Sequence, residues 1–321
     1  MLGQDERNVL IIRLSSLGDV LLTTPLIRSL KSKYPDINVD FVVKRQYSMV
    51  LKGNPYLRRI FFPDEEIDVT QYDVIVDLQN NLRSCKIRRK FEKRVVKFKK
   101  YSLDKYLLVN FKVNRLRELP AIPVRYAETV EKGLLDESGL DLLIPDSVKS
   151  RLTEDKQTIG ICPGSRHFTK RYPAEKFIEV GNKLASEGFR VVVIGGEDEK
   201  NICAEISDSI NGAINLSTEN DLYQIAADMK RCDGIICNDS GLMHVACAVK
   251  VPVVVIFGSS VREFGFTPYG NKHKVVEREN LSCRPCSHIG KEKCPEKHFR
   301  CMLEISSEEV IKCIKSIIKY D

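Results

Sequence analysis

The chain has 321 residues, of which 43% are hydrophobic and 30% are charged, and its formal net charge is +7. This length predicts two domains, each with a core of its own. No apolar stretch approaches the roughly 18 to 20 residues that span a bilayer, and charged residues occupy positions 5–7, where a signal peptide needs apolar ones. We therefore expect a cytoplasmic protein rather than an integral membrane protein.

The first half of the chain alternates short apolar runs with stretches of helical periodicity. Strands are predicted at residues 9–14, 38–43, 59–62, 74–78 and 94–98. Helices are predicted at residues 20–34, 47–53, 80–91, 103–116 and 125–138. Such alternation is typical of βαβ units in a parallel sheet.

A linker is predicted around residues 143–153, after which the alternation restarts. Strands are predicted at residues 158–162, 190–194, 213–216, 234–237 and 251–257, and helices at 174–187, 200–210, 221–230 and 241–249. A closing helix is predicted within residues 304–320, after a good N-terminal signature at 306–309. The sequence thus predicts an α/β protein with two doubly wound sheets in tandem.

The first predicted strand runs directly into the loop 13–19, which ends in Asp19. Backbone N–H groups at the start of the following helix favour anions and keep this carboxylate ionised. One interpretation makes Asp19 a catalytic base. The other is that Asp19 or Ser16 only caps the helix.

The loop at 163–173 follows the first strand of the second half and carries residues suited to phosphate. Gly164 and Ser165 allow close backbone approach, and Lys170 and Arg171 supply cationic donors. Pro173 stands at a plausible first helical position. Taken alone, the segment also fits an ordinary basic loop.

A second loop with the same character follows the strand at 234–237. Asp239 or Ser240 caps a helix whose free N–H groups can hold a diphosphate, and His244 lies in its first turn. A third turn of small residues follows the next strand at 258–260. Because ligands of doubly wound folds bind at the carboxyl ends of the strands, the three turns predict a nucleotide site.

Three familiar nucleotide-binding patterns are missing from the sequence. There is neither a G-x-G-x-x-G fingerprint nor a P-loop, which argues against a dinucleotide oxidoreductase and a P-loop enzyme. There is no D-x-D triplet to hold a divalent metal under a sugar nucleotide. We therefore expect Lys170, Arg171 and helix dipoles to neutralise the diphosphate, so that transfer is independent of metal.

Positive charge is concentrated between residues 86 and 105, where ten Lys or Arg residues stand against one Glu and one Asp. Such a stretch attracts a phosphorylated glycolipid, a membrane surface or nucleic acid, or is a solvated basic face. No aromatic-interleaved strand or zinc-finger pattern favours nucleic acid.

Four segments, in this order along the chain, resemble the ADP-heptose:lipopolysaccharide heptosyltransferases of glycosyltransferase family 9. They are residues 15–20, 76–84, 163–173 and 238–244. The resemblance implies a GT-B fold of two Rossmann-like domains facing a central cleft. It implies an acceptor-binding domain over 1–148, a nucleotide-sugar-binding domain over 149–304, and a C-terminal helix over 305–321 that packs back on the N-terminal domain.

The resemblance also assigns roles to residues. The general base of the family falls on Asp19 and the lysine of its basic loop on Lys170, while Tyr172 stands where the family usually has Trp. The donor diphosphate and sugar would be bound by Gly164, Ser165, Lys170, Arg171, Asp239, Ser240, Gly241, Leu242, Met243 and His244. The acceptor would be bound by Ser16, Gly18, Gln79, Arg83 and Lys86.

The function that the resemblance implies is an inverting, metal-independent transfer of heptose from ADP-heptose to the lipopolysaccharide inner core. The acceptor would be anionic, either Kdo-lipid A or a heptosyl acceptor, at the inner face of the cytoplasmic membrane, where the enzyme would be peripheral. No nucleic acid partner and no catalytic cofactor are expected. The alternatives are another nucleotide sugar used on another cell-surface glycan, and a catalytically vestigial nucleotide-binding protein.

Four cysteines, Cys283, Cys286, Cys294 and Cys301, lie within nineteen residues near the end of the chain. A C-x2-C pair followed by two more cysteines is typical of a zinc site in a reducing compartment. A structural zinc, unligated thiols and a disulfide are all compatible with this spacing.

Overall fold

The chain divides into two units in the computed structural model, which describes residues 3, 6–218 and 220–318. The first unit contains residues 1–101 and 120–143, and the second contains 102–119 and 144–321. The division therefore falls at residue 143 rather than 148, and residues 102–119 belong to the second unit. Hydrophobic periodicity marks helices but does not tell which core a helix joins, so the sequence did not predict this exchange.

The first unit is built on a five-stranded parallel sheet with the order β3-β2-β1-β4-β5. Its strands are β1 (Asn8–Ile12), β2 (Asn38–Val42), β3 (Arg59–Phe61), β4 (Val74–Asp77) and β5 (Arg94–Lys97). The central strand β1 pairs with β2 on one side and with β4 on the other, so that Ile12 lies opposite Val42 and Asp77. The predicted parallel sheet is confirmed.

Helices in the first 143 residues are shorter than predicted. They are α1 (Leu17–Leu21), α2 (Thr24–Lys33), α3 (Leu82–Ile87), α4 (Ser102–Phe111) and α5 (Ile122–Glu128), with α4 in the second unit. The predicted helix at 20–34 is two helices because Pro25 has no N–H to continue the hydrogen bonding of α1. The predicted helix at 47–53 is a 3-10 helix at Arg45–Val50, and the one at 125–138 ends at Glu128.

The second unit is built on a six-stranded parallel sheet with the order β11-β10-β9-β6-β7-β8. Its strands are β6 (Thr158–Cys162), β7 (Arg190–Val193), β8 (Ile214–Asn215), β9 (Gly234–Asn238), β10 (Val253–Phe257) and β11 (His273–Glu277). The strand order reverses between β6 and β9, the point where doubly wound sheets bind ligands. The sequence did not predict β11, because this edge strand buries only Val276 and lacks an apolar run.

The helices of the second unit after residue 144 are α6 (Ala174–Ser186), α7 (Lys200–Asp208), α8 (Leu222–Lys230), α9 (Gly241–Ala248), α10 (Arg300–Leu303) and α11 (Ser307–Ile317). The closing helix α11 packs on α6 and on β9, β10 and β11. Its apolar face, with Val310, Ile314 and Ile317, is buried in the core of the second unit. The expectation that this helix packs back on the N-terminal domain is therefore wrong. Among the described helices, none is both long and apolar enough to cross a bilayer.

Candidate functional site

Asp19 lies in the first turn of α1, directly after the loop that leaves β1. Its carboxylate accepts hydrogen bonds from the Ser16 N–H at 3.0 Å and the Ser16 hydroxyl at 2.9 Å. The other carboxylate oxygen pairs with the Arg13 guanidinium at 2.5 Å, and the side chain is 16% exposed. Asp19 thus caps the helix, as one interpretation predicted, and its side chain is also partly accessible to solvent. Capping therefore does not exclude a role as a catalytic base.

Arg13 is itself buried and held in one orientation. Its Nη1 donates to the Leu78 carbonyl at the end of β4, and its Nε donates to the Ser15 carbonyl, both at 2.9 Å. The guanidinium also lies over the ring of Tyr126, 5.7 Å from its centre. The arginine that pairs with Asp19 therefore joins the loops after β1 and β4.

The environment of Asp19 keeps this carboxylate ionised. Burial by itself would raise the pKa of Asp19, but the charge of Arg13 and the hydrogen bonds from Ser16 outweigh burial, and the pKa lies below its ordinary value. Burial raises the pKa of the adjacent Tyr126, which therefore stays protonated. Burial and repulsion from Arg13 lower the pKa of Lys100, a second cation near this carboxylate.

The segment after β4 is held by a buried carboxylate. Asp77 accepts from the Asn80 N–H at 2.6 Å and the Ser84 hydroxyl at 2.8 Å, and pairs with Arg88 at 3.0 Å. Gln79, predicted to bind the acceptor, accepts from the Leu14 N–H at 2.9 Å. Its carbonyl oxygen is therefore used to connect the loops after β1 and β4.

A cavity of about 330 Å³ lies in the first unit and is lined by Leu14, Lys44, Pro63, Arg83, Lys86 and Ile87. Two of the predicted acceptor residues, Arg83 and Lys86, thus line the same cavity. The sequence did not identify Lys44, which follows β2; its position after a strand was the available signal. Of the other two predicted acceptor residues, Ser16 is exposed and Gly18 is buried in α1.

The second unit brings its three predicted loops together, as expected for the neighbouring strands β6, β9 and β10. Lys170, from the loop after β6, pairs with Asp239, directly after β9, at 2.7 Å. The Ser260 hydroxyl, from the turn after β10, donates to the same carboxylate. The Lys170 and Asp239 side chains are 15% and 8% exposed, so the pair lies at the edge of the buried interior.

Two side chains brace the loop after β6. The Asn238 amide accepts from the Tyr172 N–H at 3.0 Å and donates to the Pro163 carbonyl at 2.7 Å. Arg171 Nε donates to the Ser165 carbonyl at 2.7 Å. Arg171 was predicted to bind phosphate, and the structure uses its guanidinium to shape the loop. The Tyr172 hydroxyl donates to the Ile305 carbonyl at 3.1 Å, so tyrosine is well satisfied at this position.

Glu199, which the sequence analysis did not identify, lies after β7 with its carboxylate against Gly164. A Cβ at position 164 would stand 1.6 Å from the Glu199 Oε1, so a larger residue there would displace the Glu199 side chain. Burial raises the pKa of Glu199, while the Gly196 N–H and the charge of Arg171 oppose this effect. The sequence signal was Gly195-Gly196 at the end of a strand, followed by an acidic residue.

The N-terminus of α9 supplies backbone donors to the same region. Helix α9 begins at Gly241, and the backbone N–H groups of Gly241 and Leu242, in its first turn, have no acceptor within the helix. The side chains of Leu242, Met243 and His244 are buried. Within the described part of the chain, the buried hydroxyls of Ser240 and Ser259 have no hydrogen-bond partner. Buried hydroxyls of this kind, beside a helix N-terminus and a lysine, are suited to phosphate oxygens.

A profile of the family described as glycosyltransferase family 9 (heptosyltransferase) matches residues 64–298, well over half of the chain. The chain belongs to glycosyltransferase family 9. It is therefore a glycosyltransferase, and the match includes the predicted donor loops and the segment after β4.

Two heptosyltransferases and a family 9 glycosyltransferase of known structure resemble the chain over almost its full length. Lipooligosaccharide heptosyltransferase 2 of Campylobacter jejuni is 25% identical over 325 residues, which cover 94% of this chain and 96% of the relative. A family 9 glycosyltransferase structure from Veillonella parvula has a TM-score of 0.78 at 22% identity, covering 97% of each chain. The Escherichia coli ADP-heptose LPS heptosyltransferase II has a TM-score of 0.71 at 23% identity, covering 97% of this chain and 98% of its own. These structures show the GT-B fold, with two Rossmann-like domains.

The four clustered cysteines of this family 9 protein are free thiols. Over residues 3, 6–218 and 220–318, no group of three or more His, Cys, Asp or Glu side chains is placed to hold a metal ion. A structural zinc at Cys283, Cys286, Cys294 and Cys301 therefore gains no support from the arrangement of these described side chains and stays a prediction. Cys301 is buried in the core of the second unit and Cys283 packs against that core, so both serve as small apolar side chains.

The cysteine segment supports the turn after β10, one of the predicted donor loops, through Arg284. This buried guanidinium donates to the Gly258 carbonyl at 2.6 Å and the Ser260 carbonyl at 2.7 Å, and pairs with Glu277 at 2.9 Å. The segment therefore fixes the turn after β10, whose Ser260 contacts Asp239.

Proposed function

We propose that this family 9 glycosyltransferase transfers heptose from ADP-heptose to the inner core of lipopolysaccharide. The observation that carries the proposal is the contact of Lys170 with Asp239 beside the N-terminus of α9, at the strand-order reversal of the second sheet. A lysine, free helix N–H groups and buried hydroxyls are the donors that a diphosphate needs. The names of the relatives from C. jejuni and E. coli support the choice of heptose, ADP and lipopolysaccharide.

In this proposal the second unit binds the donor. Lys170, the N–H groups of Gly241 and Leu242, and the hydroxyls of Ser240 and Ser259 bind the diphosphate. Glu199 accepts hydrogen bonds from the ribose hydroxyls, the role that an acidic side chain at a neighbouring strand end plays in nucleotide-binding sheets. The remaining predicted donor residues shape the loops: Gly164, Ser165, Arg171, Asp239, Met243 and His244.

The first unit binds the acceptor. Lys44, Arg83 and Lys86 surround one cavity, and their charges suit an anionic sugar that carries carboxylate or phosphate groups. Ser16, Gly18 and Gln79 form the adjacent loops. An acceptor of this kind is part of a membrane glycolipid, so we propose that the enzyme works as a peripheral protein at the inner face of the cytoplasmic membrane, without a nucleic acid partner.

Asp19 removes the proton from the attacking acceptor hydroxyl. The hydroxyl attacks the anomeric carbon on the face opposite the leaving diphosphate, and the configuration inverts. As the bond to the diphosphate breaks, Lys170 and the α9 N–H groups stabilise the negative charge that develops on ADP. Lys170 and these N–H groups take the place of a divalent cation in stabilising the negative charge on ADP. The reaction therefore proceeds without metal.

The test is incubation of the purified protein with ADP-heptose and a Kdo-lipid A acceptor, in the presence of EDTA, with ADP release and the anomeric configuration of the product as readouts. The proposal expects ADP release that depends on acceptor and a product of inverted configuration. Transfer only from a different sugar nucleotide in a donor panel would overturn the heptose assignment. A requirement for added divalent metal would overturn the metal-independent mechanism.

A further inference from the structure

Helix α4 turns bulky apolar side chains toward solvent. Leu103 is 65% exposed, Tyr106 56% and Phe111 63%, and the following Val113 is 44% exposed. Helical spacing puts the first three on one face, on which Asn110 is the polar member. Leu108, on the opposite side, is the buried residue of the helix. The amphipathic pattern of α4 is thus partly inverted, with its larger apolar groups outside.

This exposed face does not result from a loose helix. Just after α4, the Lys112 ammonium donates to the Pro285 carbonyl at 2.8 Å and to the Cys283 carbonyl at 3.2 Å. Asn114 donates to the Glu263 carboxylate at 2.8 Å. The rings of Tyr106 and Phe111 also contact each other, with centres 6.0 Å apart. The second unit therefore holds α4 in place while the outer face of this helix stays exposed to solvent. Because contiguous exposed apolar groups mark interaction sites, we infer that this face has a binding partner.

The charge around α4 indicates which partner fits this face. Residues 102–119 carry four cations (Lys105, Lys112, Arg115 and Arg117) and two anions (Asp104 and Glu118). Arg115 and Arg117 are exposed just beyond the apolar residues. Leucine and aromatic side chains flanked by arginines are typical of surfaces that enter the headgroup layer of anionic bilayers. A second copy of the chain would bring like charges together.

We propose that α4 is a membrane-docking helix, with Leu103, Tyr106 and Phe111 inserted among the lipids of an anionic bilayer. Arg115 and Arg117 bind lipid phosphates beside it. The inference deepens the proposed function, because it names the surface by which the enzyme reaches a glycolipid acceptor. Docking itself requires neither donor nor acceptor and is therefore measured separately.

The test is flotation of the full chain with vesicles of phosphatidylcholine, with and without phosphatidylglycerol. The wild type is expected to float with the anionic vesicles. A triple variant, Leu103→Ser/Tyr106→Ser/Phe111→Ser, is expected to lose about tenfold or more in partitioning, because apolar burial contributes much of interfacial binding. The Arg115→Gln/Arg117→Gln variant is expected to lose the preference for anionic vesicles. The matched control is Ile289→Ser/Leu303→Ser, at apolar positions 55% and 49% exposed elsewhere in the second unit, and it is expected to float like the wild type.

A second measurement uses the absence of tryptophan from the sequence. Tyr106→Trp introduces a single reporter, whose emission is expected to shift to the blue on addition of anionic vesicles, whereas Ile214→Trp is expected to show no shift. An unshifted Tyr106→Trp, or equal loss of flotation in the control variant, overturns the proposal. A dimer that the triple variant dissociates also overturns it. Transfer to a water-soluble acceptor is expected to survive in the triple variant, so a failure of docking is distinguishable from a failure of the proposed reaction.

Discussion

Arg13 and Asp19 form an ion pair of 2.5 Å that joins the end of β1 to the first turn of α1. The arginine also donates to Leu78, so the orientation of the carboxylate depends on the loop after β4 as well. The pair gives Asp19 a fixed position and a pKa below its ordinary value. Arg13 is thus a positioning residue for the proposed base.

Replacing Arg13 changes the pH dependence of the reaction. In the wild type, Arg13 and Ser16 outweigh burial and lower the pKa of Asp19. Asp19 therefore stays ionised at acidic pH values at which an ordinary aspartate becomes protonated. Without the guanidinium, burial raises the pKa, and the acid limb of the kcat/KM profile moves to higher pH. We expect this shift in Arg13→Met and a smaller one in Arg13→Lys, which keeps the charge. Superimposable profiles for the three proteins would show that Arg13 does not control this carboxylate.

Lys170 is expected to act mainly on the leaving group. Lys170→Met should lower kcat by roughly 10²-fold, the loss typical of removing one electrostatic donor to a developing anion. Lys170→Arg keeps a cation and should retain more activity. Steady-state kinetics with ADP-heptose check the prediction, and a kcat within a few-fold of the wild type in Lys170→Met would place the stabilising charge elsewhere.

Lys44 lines the proposed acceptor cavity but was not predicted from the sequence, so its replacement is an independent test of this cavity. Lys44→Gln should raise the KM for the anionic acceptor by roughly tenfold, the equivalent of one charged hydrogen bond, and leave the KM for the donor unchanged. The matched control is Lys90→Gln, an exposed lysine of the basic stretch that does not line the cavity. Equal increases of the acceptor KM in the two variants would indicate that the overall positive charge of the basic stretch, rather than a specific site, attracts the acceptor.

Arg284 tests the structural role of the cysteine segment. Arg284 and Glu277 are 3% and 6% exposed, and breaking a buried pair of this kind typically costs about 3 kcal/mol or more. We therefore expect Arg284→Met to lower the free energy of unfolding in urea by that amount. Glu277 keeps its second ion pair, with Arg262, in this variant, so much of the loss is expected to come from the Gly258 and Ser260 carbonyls that lose their donor. Full stability of the single variant would contradict the proposed support of the turn after β10.

The sequence predicted the parts of the molecule that depend on local pattern. Apolar runs located ten of the eleven strands in the described part of the chain. The rule that ligands bind at strand ends predicted that the loops of Lys170 and Asp239 lie together, and these two side chains are in contact. Small residues after strands also marked the turn at 258–260. These predictions succeeded because strand ends in a parallel sheet share one edge.

The features that the sequence missed depend on tertiary contacts. The sequence around Glu199 does not distinguish it from an acidic residue on the surface, and only the structure shows that its carboxylate lies against Gly164. The spacing of the cysteines resembles that of a zinc site, although Cys301 is directed into the apolar core. The apolar face of the closing helix is equally suited to either core, and packing alone assigns it to the second.

The most direct test of the account is the Asp19→Asn variant, which keeps the size of the side chain and removes its basicity. We predict a fall in kcat of at least roughly 10²-fold, as expected for loss of a general base, with the Kd for ADP-heptose unchanged because the second unit binds the donor. An unchanged kcat in a folded variant would remove Asp19 from the mechanism and contradict the central claim.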